Sequence, residues 1–376
     1  LSNIARGDRR LYSALDGLRG VAALFVAMRH TVFFHDLDIF GGFMAVDLFF
    51  VLSGFVIAHA YEQRLAAGLS PVRFLILRYL RLWPVYALGA LIGLWAAAAH
   101  ALPARDSLTL AQVGQTAPYA LAMLPGPHIK SMLYPVNSVA WSLALELLIN
   151  AVYAFAWRWL RDTRVLVGAL AVSLAALAFA VVWFGKLDVG FTWRGAWGGL
   201  PRVAFSFTAG LAVYRLHRSV SWRAGPWGIA PLVILPPLLW AYVDDVVFPL
   251  VCVAVVFPAM VFMAAGARNG PRLDAAFTWL GAASYPLYAL HMPIGALATL
   301  ALRHTAPHLV RSPGLGAVYL AALVALAYAV ERLFDRPARR VLAASYDNLD
   351  QVLRPRLAAM HQALLARIAE RRIGPA

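Results

Sequence analysis

The feature that most constrains this chain is its succession of apolar stretches, each about as long as a bilayer is thick. Roughly 20 helical residues cover the hydrocarbon core. About ten stretches meet that length: 14–34, 42–60, 83–101, 136–156, 165–185, 199–216, 227–243, 246–265, 277–300 and 314–333. With 62% hydrophobic and only 14% charged residues, 376 residues carry more apolar surface than one water-soluble globule would bury. A spanning segment must satisfy its own backbone hydrogen bonds in lipid. The expected fold class is therefore all-α, a polytopic integral membrane protein of about ten transmembrane helices. Residues 108–125 are apolar but short, interrupted by Gln112, Gln115 and Pro118, and are read as interfacial or re-entrant. The first stretch runs on through Arg29 and His30 and is followed by many others, so it is read as a retained span and not a cleaved signal.

The formal charge of +15 reflects arginine, which supplies all but Lys130 and Lys186 of the 33 basic residues. Assigning alternate loops to the two sides places 24 arginines on one side and seven basic residues on the other, with Arg19 and Arg29 inside the first span. The positive-inside rule then puts both termini in the cytoplasm. Such a pattern belongs to membrane orientation, so no nucleic-acid partner is expected. Cys252 is the single cysteine, which excludes an intramolecular disulfide, and its apolar setting suits a packing role. Residues 1–340 form one transmembrane domain in this reading, and 341–376 a cytoplasmic basic tail. There Leu357, Met360, Leu364, Leu365 and Ile368 recur at helical spacing among arginines, as in a helix lying on the membrane surface.

Ionisable side chains inside spans are costly and face a cavity or a partner. Arg19 and His30 are eleven residues apart, which at 100° per residue leaves them within about 20° of one face and about 16 Å apart along the axis. The arginine then lies toward the cytoplasm and the histidine in the outer half. His30 has the side chain best suited to general-base work near neutral pH. Arg29, on another face, reads as an anchor at the outer end. Asp47 lies deep enough to need a partner, either His30, whose imidazole it would orient, or an arginine in a structural pair. Arg73, Arg78 and Arg81 precede Trp83 and Pro84. The last two arginines share a helix face, which suits either phosphate or plain membrane anchoring. Glu146 sits near mid-membrane with Ser142 and Trp141 within about a turn and a half, and is expected to be protonated or paired. Tyr285, Tyr288 and His291 sit between Pro286 and Pro293, which are expected to break their helix beside a cavity. His291 is either a core histidine or a catalytic one. His304 and His308 have no carboxylate or cysteine pattern around them, and no metal is expected.

Taken together, LDGLRGVAALFVAMRH, VDLFFVLSGFVI, RYLRLWPVY, WSLALE, SYPLYALHMP and FDRPARR resemble, in this order, the membrane acyltransferase 3 family, over residues 13–340. Proteins of that family transfer an acyl group, usually acetyl from acetyl-CoA, across the bacterial inner membrane to a hydroxyl of a glycan or another acceptor. The resemblance implies that Arg19 and His30 are the family's Arg and His, that Arg78 and Arg81 are its paired arginines, and that Asp335-Arg336-Pro337 stands where the family closes on Glu-Arg-Pro. It further implies that Arg19, Arg73, Arg78 and Arg81 hold the phosphates of acyl-CoA, and that His30 is the base. Asp47 would orient His30, and Ser142, Tyr288 or His291 would stabilise an oxyanion. Glu146 completes the set of candidate catalytic residues, and an acyl-enzyme on Ser53 or His30 stays open. No esterase-like domain follows in the sequence, so any such partner is expected on a separate chain. The expected partners are acyl-CoA, a surface or lipid-linked glycan and membrane lipid, in the bacterial inner membrane. The competing reading, a transporter of a lipid-linked sugar or anionic metabolite, fits the composition equally well. It lacks an evident repeat between the two halves.

Overall fold

The computed structural model describes residues 12–37, 39–100, 107–220, 223–241 and 245–351. Among them the only β pairing is two isolated bridges, Met132 with Thr192 and Gly225 with Ala267. The rest is helix and connecting turn: α1 (Ser13–His30), α2 (Ala45–Ala66), α3 (Pro71–Ala98), α4 (Leu110–Leu121), α5 (Ala140–Leu160), α6 (Thr163–Phe184), α7 (Gly199–Val220), α8 (Pro226–Trp240), α9 (Val247–Ala265), α10 (Pro271–Thr305) and α11 (Pro313–Gln351).

A helix stands at each of the stretches expected to span. Seven helices (α2 with its preceding turn from Phe40, α3, α5, α6, α9, α10 and α11) are long and apolar enough to cross a membrane. The chain is a multi-pass membrane protein. The remaining three depart for visible reasons: α1 carries Asp16, Arg19 and Arg29, α7 carries Arg202, Arg215 and Arg218, and α8 is short. At 12 residues, α4 is only about 18 Å long. Thr109 and Gln112 cap its start reciprocally. Its last carbonyls are taken by α3, with the Trp83 indole donating to Leu121 O at 3.0 Å and the Tyr86 hydroxyl to Ala120 O at 2.5 Å.

Packing against lipid supplies no hydrophobic drive between helices, so close approach through small residues matters more. Gly54 of α2 and Gly210 of α7 meet at a crossing where backbones touch. A Cβ on Gly54 would fall 2.1 Å from Phe207 O, and one on Gly210 2.1 Å from Val51 O. The most extensive helix pair is α1 with α10. Contrary to expectation, α10 does not break at Pro286 or Pro293 but runs through both. Pro293 has no N–H to give Ala289 O, and the Asn137 side chain donates to that carbonyl instead, at 2.9 Å. At the far end, α11 continues to Gln351, so the expected boundary at 340/341 falls inside one helix. The amphipathic pattern from Leu357 to Ile368 lies outside the described residues.

Candidate active site

Two polar regions lie at different depths in the bundle. The first is a cavity of about 620 Å³, walled by the ends of α1, α5 and α10, the turn before α2 and the loop between α6 and α7. His30, the last residue of α1, is on its wall. Its Nδ1 lies 2.9 Å from Val26 O and 3.3 Å from Nε2 of His291. The Nδ1 of His291 lies in turn 2.8 Å from Tyr288 O and 3.2 Å from Leu287 O. Carbonyls only accept, so His291 carries its proton on Nδ1 and presents a bare Nε2 to His30. That arrangement fixes the His30 proton on Nδ1 and makes Nε2 its basic nitrogen. His291 is fully buried behind His30 and does not line the cavity. It meets the cavity only through His30, which lies between the two. Tyr288 does line the cavity, and its hydroxyl lies 2.6 Å from Ser142 Oγ, which donates to Val139 O at 3.0 Å.

Asp47 does not reach the imidazole. It is completely buried and forms a bidentate pair with Arg202, Nη2 to Oδ2 at 2.6 Å and Nε to Oδ1 at 3.2 Å. Arg202 also donates to Val189 O at 2.7 Å and Phe43 O at 3.2 Å, and its guanidinium lies 5.3 Å from the Trp141 ring. Of the two partners the sequence allows, the arginine is the one present, and Asp47 orients cavity walls instead of His30. The sequence reading missed Arg202, placing it in an outer loop. The signal was there in a lone arginine three residues into an apolar stretch, facing an otherwise uncompensated buried Asp47.

The second region holds the arginines. Arg78 pairs with Glu146 at 2.8 Å, and Glu146 also accepts from Ser53 at 3.0 Å, so the carboxylate is paired as expected. Arg81 lies 3.5 Å from the buried Asp335, which also pairs with Arg339 at 2.9 Å. Glu331 binds Arg336 and Arg339, both at 2.9 Å, and a π turn over Glu331–Asp335 carries both carboxylates into the protein. Arg19 spans α1 and α10, donating to Ser284 Oγ at 2.8 Å, Gly281 O at 2.8 Å and Asp16 at 2.9 Å. Arg73 stands apart: it is held by Asp347 at 2.7 Å and Asp350 at 3.2 Å on α11. The cavity lining includes none of Arg19, Arg78 and Arg81. On α5, Ser142 and Glu146 are one turn, or about 6 Å, apart. The Tyr288–Ser142 contact thus separates the cavity from the Arg78–Glu146 pair.

The acyltransferase 3 family model, described as an acyltransferase domain, matches residues 12–332. The chain belongs to that family and is a membrane acyltransferase, which sets aside the transporter reading. It is 42% identical over 183 residues to "Protein 2 in picA locus" of Rhizobium radiobacter, covering 45% of this chain and 94% of that one. It is also similar to the peptidoglycan O-acetyltransferase OatA of Listeria monocytogenes serovar 1/2a, at 24% identity over 388 residues, 90% of this chain and 58% of that one. The chain thus spans little more than half of OatA's length. No solved structure matches the chain.

Proposed function

We propose that this protein is an O-acyltransferase in which His30 deprotonates an acceptor hydroxyl bound in the outer cavity, with an acyl-CoA thioester, most simply acetyl-CoA, as donor. The observation that carries this reading is the hydrogen-bond chain from Tyr288 O through His291 to His30, which leaves Nε2 of His30 as the base on a cavity wall. Nε2 takes the hydroxyl proton as the oxygen attacks the thioester carbonyl. Collapse of the tetrahedral intermediate breaks the C–S bond, and the leaving thiolate takes the proton back from the imidazolium. The products are an ester and free CoA thiol. With the Ser142 proton given to Val139 O, the Tyr288 hydroxyl donates to Ser142 Oγ at rest, and turning that one proton into the cavity would let it serve the oxyanion.

Arg81, whose side chain is 40% exposed, and Arg78 would meet the donor's phosphates from the cytoplasmic side. Arg19 holds α1 and α10 together above them. In this reading the thioester passes the Tyr288–Ser142 contact on its way to His30. The name of the OatA relative supports acetyl as the group and a cell-envelope glycan, surface-exposed or lipid-linked, as the acceptor. In this reading the setting is the bacterial inner membrane. Purified protein in nanodiscs should slowly hydrolyse radiolabelled acetyl-CoA, and His30→Ala should lower that rate at least 100-fold. Equal rates for the two proteins would refute the base assignment.

A further inference from the structure

The acceptor cavity carries an excess of positive charge at a distance from the base, and this bears on what kind of acceptor fits. The charged and titratable side chains on its wall are Arg29, His30, His35, Asp188, Tyr288 and Arg303. Arg29 is held by Asp188 at 3.1 Å and by the carbonyls of Ile39 at 3.1 Å and Phe40 at 2.7 Å, so its charge is largely answered within the protein. Arg303 is exposed and makes no ion pair or side-chain hydrogen bond among the described residues. It stands twelve residues beyond His291 on α10, about 18 Å farther along the axis. The end of the molecule expected to be poor in cations therefore places an uncompensated one on the wall of its acceptor cavity.

From this placement we infer that the acceptor is an extended, anionic chain whose negative group is read by Arg303 while a hydroxyl elsewhere on it meets His30. The spacing exceeds one sugar ring, so the charged group belongs to a unit other than the one acylated. Trp141, Phe43 and Phe191 also line the cavity, aromatic side chains of the kind against which sugar rings pack. The anion is a carboxylate of an acidic glycan or the phosphate of a lipid carrier. Both satisfy the same guanidinium.

The inference rests on the acyl-transfer reading for the identity of the cavity, but its test needs no acyl donor. Binding to the protein in nanodiscs of neutral lipid is measured for cellotetraose, tetragalacturonate and farnesyl phosphate, at low and at 0.5 M salt. An anionic probe should bind at least tenfold more tightly than cellotetraose, the preference falling with salt. Arg303→Gln should abolish the preference, while Arg303→Lys and the control Arg161→Gln, at the opposite end of the bundle, should keep it. An Arg303-dependent preference for tetragalacturonate names the glycan as the source of the anion, and one for farnesyl phosphate names the carrier. No binding by any probe, equal affinity for charged and neutral probes, or a preference that survives Arg303→Gln would each overturn the inference. Failure of the acyl-transfer reading shows separately, as acetyl-CoA turnover indifferent to His30→Ala.

Discussion

Asp47 and Arg202 form the most deeply buried ion pair among the described residues, and their partnership has a large energetic consequence. Both side chains are at most 1% exposed, and the arginine's remaining donors go to two loop carbonyls. Removing one member leaves the other as an uncompensated charge, which costs about 3–5 kcal/mol in buried pairs. Asp47→Asn should therefore lower stability in detergent by about that amount, read as a reduced thermal midpoint. Asp47→Leu combined with Arg202→Met should recover much of the loss. A midpoint unchanged in the single variant would argue against the clamp. His30 and His291 differ in kind. Their bond at 3.3 Å sets a tautomer, so its value lies in which nitrogen is basic more than in stability.

On the scale of single elements, α10 shows how a helix with two prolines stays whole. Asn137, in the loop before α5, supplies the donor that Pro293 cannot, and it does so where α3 lies so close that a Cβ on Gly89 would fall 2.6 Å from Ala289 O. Asn137→Ala leaves that carbonyl unpaired and should cost about 1–3 kcal/mol, measurable by chemical denaturation in detergent. Adding Pro293→Ala, which returns an N–H to the same carbonyl, should restore part of it. No recovery in the double variant would show that Asn137 acts otherwise. What the sequence made legible follows from this scale. The shared face of Arg19 and His30 is set by helical periodicity within eleven residues. So are the positions of the long apolar helices. Which carboxylate meets Arg73, Arg81 or Arg202 is decided by helices far apart in the chain, as Arg73 with Asp347 illustrates. No local pattern encodes that choice. The continuity of α10 escaped for the same reason, since its remedy for Pro293 sits on a remote loop.

For the molecule as a whole, the arginine distribution makes orientation an experimental question that the single cysteine simplifies. Cys252 is buried, so the natural chain is close to a blank background for thiol labelling. Arg194→Cys, at the end of the bundle that bears the cavity, should react with a membrane-impermeant maleimide in intact spheroplasts. Arg161→Cys, at the opposite end, should react only after permeabilisation. The reverse pattern would invert the membrane orientation and put the cavity in the cytoplasm. The crossing of α2 and α7 also shapes how such a protein can vary. Gly54 and Gly210 touch no part of the cavity, yet either methyl group would push apart the two helices that carry Asp47 and Arg202. In a survey of every single substitution, these two glycines should tolerate as little as His30 does. Intolerance in such a survey would thus mark the hinge of the scaffold as strongly as the centre of the chemistry, and only a readout that separates abundance from turnover would tell them apart.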